Sequence, residues 1–395
     1  MLRATEIKPD VYWVGGIDWT ERNFHGYTTD RGSTYNAYLI LDEKITLIDT
    51  CKPPFADELL ERIADVIDPA KIDYVISNHV EQDHSGAIPA IMAAAPNAKI
   101  VTSDPHGLKG LKAHYGEAYE YIPVKTGDTL NIGKRTLTFA ATMMVHWPDN
   151  MVTYSAFDKI LFSNDAFGQH YASSKRFDDE VGLPEVLDQA KKYYANIVMP
   201  YSRHVVKALG ALGGLDFDMI APSHGIIWRS HVADILDIYQ KWSSLVPDEY
   251  AIVVYDSMWH TTEAMAQQIL EAFIEAGIPA RLFDLKVDHI SDIMTEVLSA
   301  RYIAVGSPTL NNGMMPTVAS FLWYLKGLSP KDRIGIPFGS YGWGQNGPQE
   351  VAELLEKCGF TQDFGILTHQ WTEDEDSLSE LHRAVLEGIA KVNAK

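Results

Sequence analysis

Asn78-His79-Val80-Glu81-Gln82-Asp83-His84-Ser85-Gly86 follows an apolar run, Asp73 to Ser77, and places four potential metal ligands within six residues. Extended backbone sends alternate side chains to one side, so His79, Glu81 and Asp83 are expected to converge. A turn beginning at His84 brings a fourth ligand in from a new direction. One short loop of this kind can hold two metal ions. Gly86 lets the backbone pass closely before a helix predicted from Ala87.

Three further residues share one context, a ligand type set after an apolar strand: His146 after Met-Met-Val, Asp165 after Lys159 to Asn164, and His224 after Asp218 to Ser223. All are expected at the same sheet edge. Four histidines and three carboxylates can serve two cations, each with nitrogen and oxygen donors and one carboxylate bridging. Three carboxylates and one bound hydroxide cancel the charge of two divalent ions, and anionic oxygen donors favour the harder oxidised state. A lone histidine after a strand is more often a hydrogen-bonded structural residue, and His146 or His224 alone would be read so. The H-x-E-x-D-H pattern is far more specific. Of the remaining histidines, His25 and His170, together with Tyr194, are the candidates for touching the ligands and tuning the chemistry.

From about residue 250 the chain alternates regularly. Ala251 to Asp256, Ala280 to Leu285, Tyr302 to Ser307 and Arg333 to Ser340 read as strands, with helices between them over Thr262 to Ala276 and Gln349 to Cys358. A short strand near Phe364 to Leu367 and a closing helix from Ser377 complete five strand-helix units, the pattern of a doubly wound parallel sheet. Before residue 245 short strands come in pairs, with helices over Phe55 to Val66, Ala87 to Ala95, Glu185 to Ile197 and His231 to Trp242 interspersed. That mixture predicts two packed sheets with helices outside. The polar segment Ser244 to Tyr250, with Pro247, separates the two textures, giving domains 1–247 and 248–395. A length of 395 residues agrees with two domains.

Thirty-three basic against fifty-three acidic residues leave a net charge of −20. Nucleic acid phosphates and anionic lipid surfaces are repelled by it, so neither is an expected partner. With Cys51 and Cys358 alone, no disulfide framework, zinc finger or iron–sulfur cluster is built within the chain. The N-terminal residues lack the apolar core of a signal peptide, and no stretch approaches the roughly 20 apolar residues of a membrane helix. A cytoplasmic protein is expected.

In the second domain three loops follow the first, third and fourth strands, where open α/β sheets place ligands. Ser257, Met258, Trp259, His260, Thr261 and Thr262 open a helix with hydroxyls and backbone N–H donors, a cradle for a phosphate monoester. Ser307, Pro308, Thr309, Asn311, Asn312 and Gly313 form the second loop, and Ser340, Tyr341, Gly342, Trp343 and Gly344 the third. Polar backbone edges and an aromatic face suit an isoalloxazine ring. Neither the acidic cluster of a response regulator nor G-x-G-x-x-G is present at these strand ends.

The metal segment resembles the loop of the metallo-β-lactamase fold, but Glu81 stands where the zinc hydrolases of that fold carry histidine. With the first loop of the second domain resembling the flavodoxin phosphate loop, the whole chain resembles the flavodiiron proteins: a metallo-β-lactamase-like αββα sandwich, then a flavodoxin-like domain. The resemblance implies two non-haem irons, one on His79, Glu81 and His146, the other on Asp83, His84 and His224, with Asp165 bridging, and an FMN in the second domain. It also implies reduction of dioxygen to water or of nitric oxide to nitrous oxide. Rubredoxin or another small carrier would deliver the electrons. A head-to-tail homodimer, alone or as a dimer of dimers, would bring the flavin of one chain beside the irons of the other. The rubredoxin module fused to some relatives is missing, since no Cys-x-x-Cys pair exists.

Two rivals stand beside this reading. A zinc-dependent hydrolase with a flavodoxin-like appendage is opposed by Glu81. A pure electron carrier with a relic first domain is opposed by the complete ligand set.

Overall fold

The computed structural model describes residues 2–394. It divides into two compact units. The first takes the chain up to Tyr193 together with Arg203–Gln240; the second takes Tyr194–Ser202 and everything from Lys241 onward. Beside the single boundary at 247/248 read from the sequence, the second unit therefore includes a nine-residue piece from within the first domain's stretch of sequence.

The first unit is built on two main sheets. One has seven strands in the order Thr5–Lys8, Val11–Trp13, Tyr38–Ile40, Thr46–Ile48, Tyr74–Ser77, Lys99–Ser103, Tyr121–Val124. The other has five: Thr129–Asn131, Thr136–Ala141, Met151–Ser155, Ile160–Asn164 and Met219–Pro222. The two-residue period of a strand divides the apolar side chains between two layers. Leu39, Leu47, Val75 and Ile100 face outward into a core shared with the helices Ala56–Val66 and Ile88–Ala94. Their neighbours Tyr38, Ile40, Ile48, Ile76 and Val101 face the second sheet and meet Phe139, Met151, Ile160, Phe162 and Met219. Each fully buried side chain of this kind contributes roughly 1.5–3 kcal/mol.

The second unit carries a five-stranded parallel sheet in the order Ala280–Asp284, Asp248–Tyr255, Ala300–Gly306, Ile334–Tyr341, Leu367–Gln370. Ala251, Val253 and Tyr255 pack with residues of the helices Thr261–Glu275 and Glu375–Asn393. Ile252, Val254, Ile303 and Val305 are equally buried and point the other way. Both faces of the sheet are thus covered, as its continuous apolar strands require. The last strand starts at Leu367 and not near Phe364, because Phe364 sits among the core side chains beneath the sheet. Tyr194–Ser202 makes its packing here: Asn196 Nδ2 donates to the carbonyl of Ser291 at 3.0 Å and its Oδ1 accepts from the Tyr324 hydroxyl at 2.8 Å. Among the described residues no helix is long and apolar enough to cross a membrane.

Candidate functional site

Three of the four ligand-bearing segments leave the C-terminal ends of strands: Tyr74–Ser77 leads to the 79–84 loop, Ile160–Asn164 to Asp165, and Met219–Pro222 to His224. The fourth differs from the sequence expectation. His146 does not follow a strand directly, because the strand ends at Ala141 and the next nine residues form a tight loop. That loop is fastened by the Asn150 side chain on the Trp147 N–H at 2.6 Å, and its Met144 takes a left-handed φ of 64°. The 79–84 segment also turns earlier than expected. Glu81 is the extended residue before a helical turn, Gln82–Ser85, so Asp83 and His84 both project from that turn while His79 and Glu81 share the extended stretch before it. A Cβ on Gly86 would lie 2.3 Å from the Gln82 carbonyl oxygen and 2.5 Å from Pro53, so only glycine closes this turn.

The structure brings all seven predicted ligands together as two triads joined through Asp165. His79, His146 and Asp165 point their ligand atoms at one locus; Asp83, His84 and His224 point theirs at another. Asp165 Oδ2 lies 3.4 Å from His146 Nε2 and 3.7 Å from His79 Nε2. Its Oδ1 lies 3.0 Å from His84 Nε2 and 3.6 Å from His224 Nε2. Glu81 Oε2 completes the first locus, 3.3 Å from His79 Nε2 and 3.5 Å from His146 Nε2. Asp83 Oδ2 completes the second, 3.1 Å from His224 Nε2. Several of these buried donor atoms, His84 Nε2, Asp83 Oδ1 and Asp165 Oδ2, lack any hydrogen-bond partner. Unpaired buried polar atoms are costly, and a pair of cations is what such a set fits.

Electrostatics point the same way. Burial alone would push these carboxyls up and the imidazoles down, but the opposite charges prevail. Asp83 and Asp165 are held well below the ordinary carboxyl range by His84 and its neighbours. Asp83 and Asp165 in turn raise His84 to about 9, and Asp149 with Glu81 raises His79. A metal binding to these imidazole nitrogens would displace their protons. The outer nitrogens are held unequally: His79 Nδ1 bonds the Asp149 carboxylate at 2.8 Å, whereas His224 Nδ1 donates to the Thr34 carbonyl at 2.6 Å.

Of the three candidates for tuning, His25 lies at the rim, mostly exposed, with Nε2 3.1 Å from Glu81 Oε1. His170 is buried, bonds Ser33 Oγ through Nδ1 at 2.9 Å and stacks 4.9 Å from His224; burial and the nearby histidines hold it well below its ordinary pKa. Tyr194 is a correction. Its hydroxyl pairs with Ser202 Oγ at 2.9 Å, and the side chain belongs to the second unit. Successive helical residues are turned about 100° apart, and it is Tyr193, one position earlier, whose hydroxyl donates to Asp165 Oδ1 at 3.0 Å. Sequence reasoning also missed Asp149, three residues after His146, although a carboxylate beside a ligand loop is the usual partner of a ligating imidazole.

In the second unit a cleft of about 650 Å³ opens where the three predicted loops meet. Met258, Trp259, Thr261, Pro308, Thr309, Asn311, Asn312, Ser340, Tyr341, Gly342, Trp343 and Gly344 line it. Five predicted residues do not. Thr262 is buried and ties its hydroxyl to Ser340 Oγ at 2.9 Å; Ser307 Oγ accepts the Met315 N–H. His260 turns into solvent toward Glu263, and Gly313 closes a turn on Leu310. Ser257 is buried beneath the cleft, its hydroxyl without a partner. Trp371 and Thr372 line the cleft and were missed, because the fifth strand ends three residues later than expected, which makes them the loop after it. Gly339 is obligatory, since a Cβ there would lie 1.9 Å from the Ser307 carbonyl oxygen.

The cleft fits FMN. No side chain caps the 15-residue helix Thr261–Glu275, so its first N–H groups are available to a phosphate, and four residues before it the Ser257 hydroxyl is buried without a partner. Trp259 and Trp343 stand 86% and 87% exposed, an arrangement that a flat aromatic ligand would cover.

A family model described as ODP family beta lactamase matches residues 34–225, and one described as flavodoxin matches residues 253–384. The chain is 44% identical over 400 residues to the nitric oxide reductase of Moorella thermoacetica, covering 99% of this chain and 100% of that one. It superposes on the rubredoxin oxygen:oxidoreductase of Desulfovibrio gigas with a TM-score of 0.96 at 41% identity, covering 99% and 98% of the two chains. The corresponding values for the flavodiiron protein of Giardia intestinalis are 0.95, 38%, 99% and 98%. The paired triads, the cleft and this full-length likeness assign the chain to the flavodiiron protein family.

Proposed function

We propose that this protein is a flavodiiron reductase that passes electrons from an external carrier through FMN to two non-haem irons, where dioxygen is reduced to water or nitric oxide to nitrous oxide. Residues 1–247 serve as the diiron domain and 248–395 as the FMN domain. The observation that carries the reading is Asp165, whose two oxygens each face one triad. His79, Glu81 and His146 would hold one iron, Asp83, His84 and His224 the other. When bound, the two irons would supply two electrons and the reduced flavin two more, the four that turn one dioxygen into two waters, whereas two nitric oxides giving one nitrous oxide and one water would need only two.

The protein's own groups do the rest. Asp149 orients His79, Thr34 orients His224, and the Tyr193 hydroxyl donates a hydrogen bond to Asp165. His25 at the rim keeps a ring nitrogen on Glu81 while reaching solvent. Rubredoxin is the proposed donor, a head-to-tail homodimer the proposed assembly and the cytoplasm the proposed compartment, in keeping with two free buried thiols.

The test is anaerobic reduction of purified protein followed by separate exposure to each gas, with product analysis and metal and flavin content. Two irons and one FMN per chain with water or nitrous oxide formed supports the reading. Zinc without flavin, and no gas consumed, overturns it in favour of a hydrolase.

A further inference from the structure

Behind the ligands, three buried side chains form a chain of hydrogen bonds that the chemistry above does not use. Asn150 Oδ1 accepts from the backbone N–H of Trp147, the residue after His146, at 2.6 Å. Asn150 Nδ2 donates to Asn164 Oδ1 at 3.0 Å, and Asn164 Nδ2 donates to Ser223 Oγ at 3.0 Å. The Ser223 N–H returns to the Asn164 carbonyl at 2.9 Å. The buried carboxylate of Asp49 receives the backbone and side-chain N–H groups of Asn78 at 2.8 and 3.0 Å. Asn78 precedes His79, Asn164 precedes Asp165 and Ser223 precedes His224. Every ligand-bearing segment is therefore gripped next to its ligand, and the grips beside His146 and His224 meet at the Asn164 amide.

We infer that Asn164 is a positioning residue that holds the two metal loci in fixed mutual register. Asp165 faces one triad with each oxygen, so its usefulness as a bridge depends on where its backbone is set relative to His146 and His224. Asn164 does that setting from both sides, through Asn150 toward one locus and through Ser223 toward the other. Its residue type is constrained twice. The backbone is left-handed at φ 58°, which asparagine tolerates better than most residues. The side chain must also accept one hydrogen bond, from Asn150, and donate another, to Ser223, which an amide does and an ionised carboxylate cannot.

The inference rests on the diiron reading. Asn164→Gly keeps the left-handed backbone and removes the ties. Iron release to a ferrous chelator, the Mössbauer spectrum of the oxidised protein and FMN content are measured on full-length wild type and variant. Ser155→Ala, in the same sheet but bonded to Asp158, is the control for a general loss of stability. Both irons should leave about ten- to a hundredfold faster from Asn164→Gly, the scale seen when groups behind a ligand are removed. The spectrum should broaden and FMN stay bound. If that variant does not fold, Ser223→Ala, which cuts one tie, should shift release and spectrum in the same direction by less. Wild-type release and spectrum in the variants overturns the inference, as does faster release of one iron alone. Zinc in the wild-type protein would instead overturn the diiron reading, a separate result of the same metal analysis.

Discussion

Asp149→Ala tests whether the two loci are held independently at their outer edges. One carboxylate oxygen, Oδ2, accepts from both His79 Nδ1 and the Val80 N–H, each at 2.8 Å, and all three groups are buried. Truncation strands two donors, each at about 1–3 kcal/mol, for a total of roughly 2–6 kcal/mol. The Val80 share falls on folding stability. The His79 share falls on the metal and should weaken its hold by about 10- to 100-fold. Only the locus of His79, Glu81 and His146 should suffer, because the outer nitrogen of His224 is held by Thr34 instead. Biphasic iron release to a chelator, one phase accelerated and one native, is the expected result, with the melting temperature lowered in parallel. Asp149→Asn, whose amide oxygen can still receive both N–H groups, should lie between. Equal acceleration of both irons, or none, would refute the assignment of Asp149 to one locus.

Five further outcomes are expected. Glu81→His should draw the site toward zinc and abolish gas reduction with FMN still bound, read by metal analysis and absorbance; an iron-loaded, active variant would contradict the role of the hard oxygen donor. Thr262→Glu, which sets a buried negative charge at the first turn of the helix and breaks the bond to Ser340, should expel FMN; an unchanged flavin-to-protein ratio would displace the phosphate site. Arg135→Met should cost about 3–5 kcal/mol in denaturant melts, since it leaves the buried carboxylates of Asp42 and Asp158 uncompensated. Although burial alone would raise Asp42, the N–H groups of Lys134, Glu43 and Arg135 hold it low, so its contribution is complete above about pH 4 and lost below it. Mixed dimers of a metal-dead chain (Asp83→Ala with His84→Ala) and a flavin-dead Thr262→Glu chain should recover activity that neither homodimer has; silent verified heterodimers would rule out transfer between chains.

The metal centre was legible because its chemistry is concentrated: six contiguous residues carry four ligands, and period-two geometry already turns His79 and Glu81 the same way. Its support was not legible. Asp149, Asn164 and Ser223 are ordinary polar residues whose meaning lies in partners up to 70 positions away, as with His79 and Asp149. Tyr193 and Tyr194 are identical in type and adjacent. Only the helix phase separates a hydroxyl on the bridging carboxylate from one turned toward Ser202. In the second domain the three loops that meet at the cleft were readable from hydroxyl, glycine and aromatic content. Trp371 was hidden by a three-residue slip in the last strand, where no residue is buried and no apolar run marks the end.

The detour of Tyr194–Ser202 into the second unit bears on how this protein can be taken apart or recombined. The coding sequence divides once near residue 247, but the folded chain changes units at 193/194, 202/203 and 240/241. A fragment expressed from 248 would lack Asn196, the acceptor of the Tyr324 hydroxyl, together with the paired rings of Tyr194 and Trp242, 5.3 Å apart. A flavodoxin module transplanted from another protein would arrive with no seat for that piece. Exchange of the electron-input half by gene fusion is therefore constrained to partners that can accommodate this nine-residue insertion, and a stable excised module must carry it as a graft.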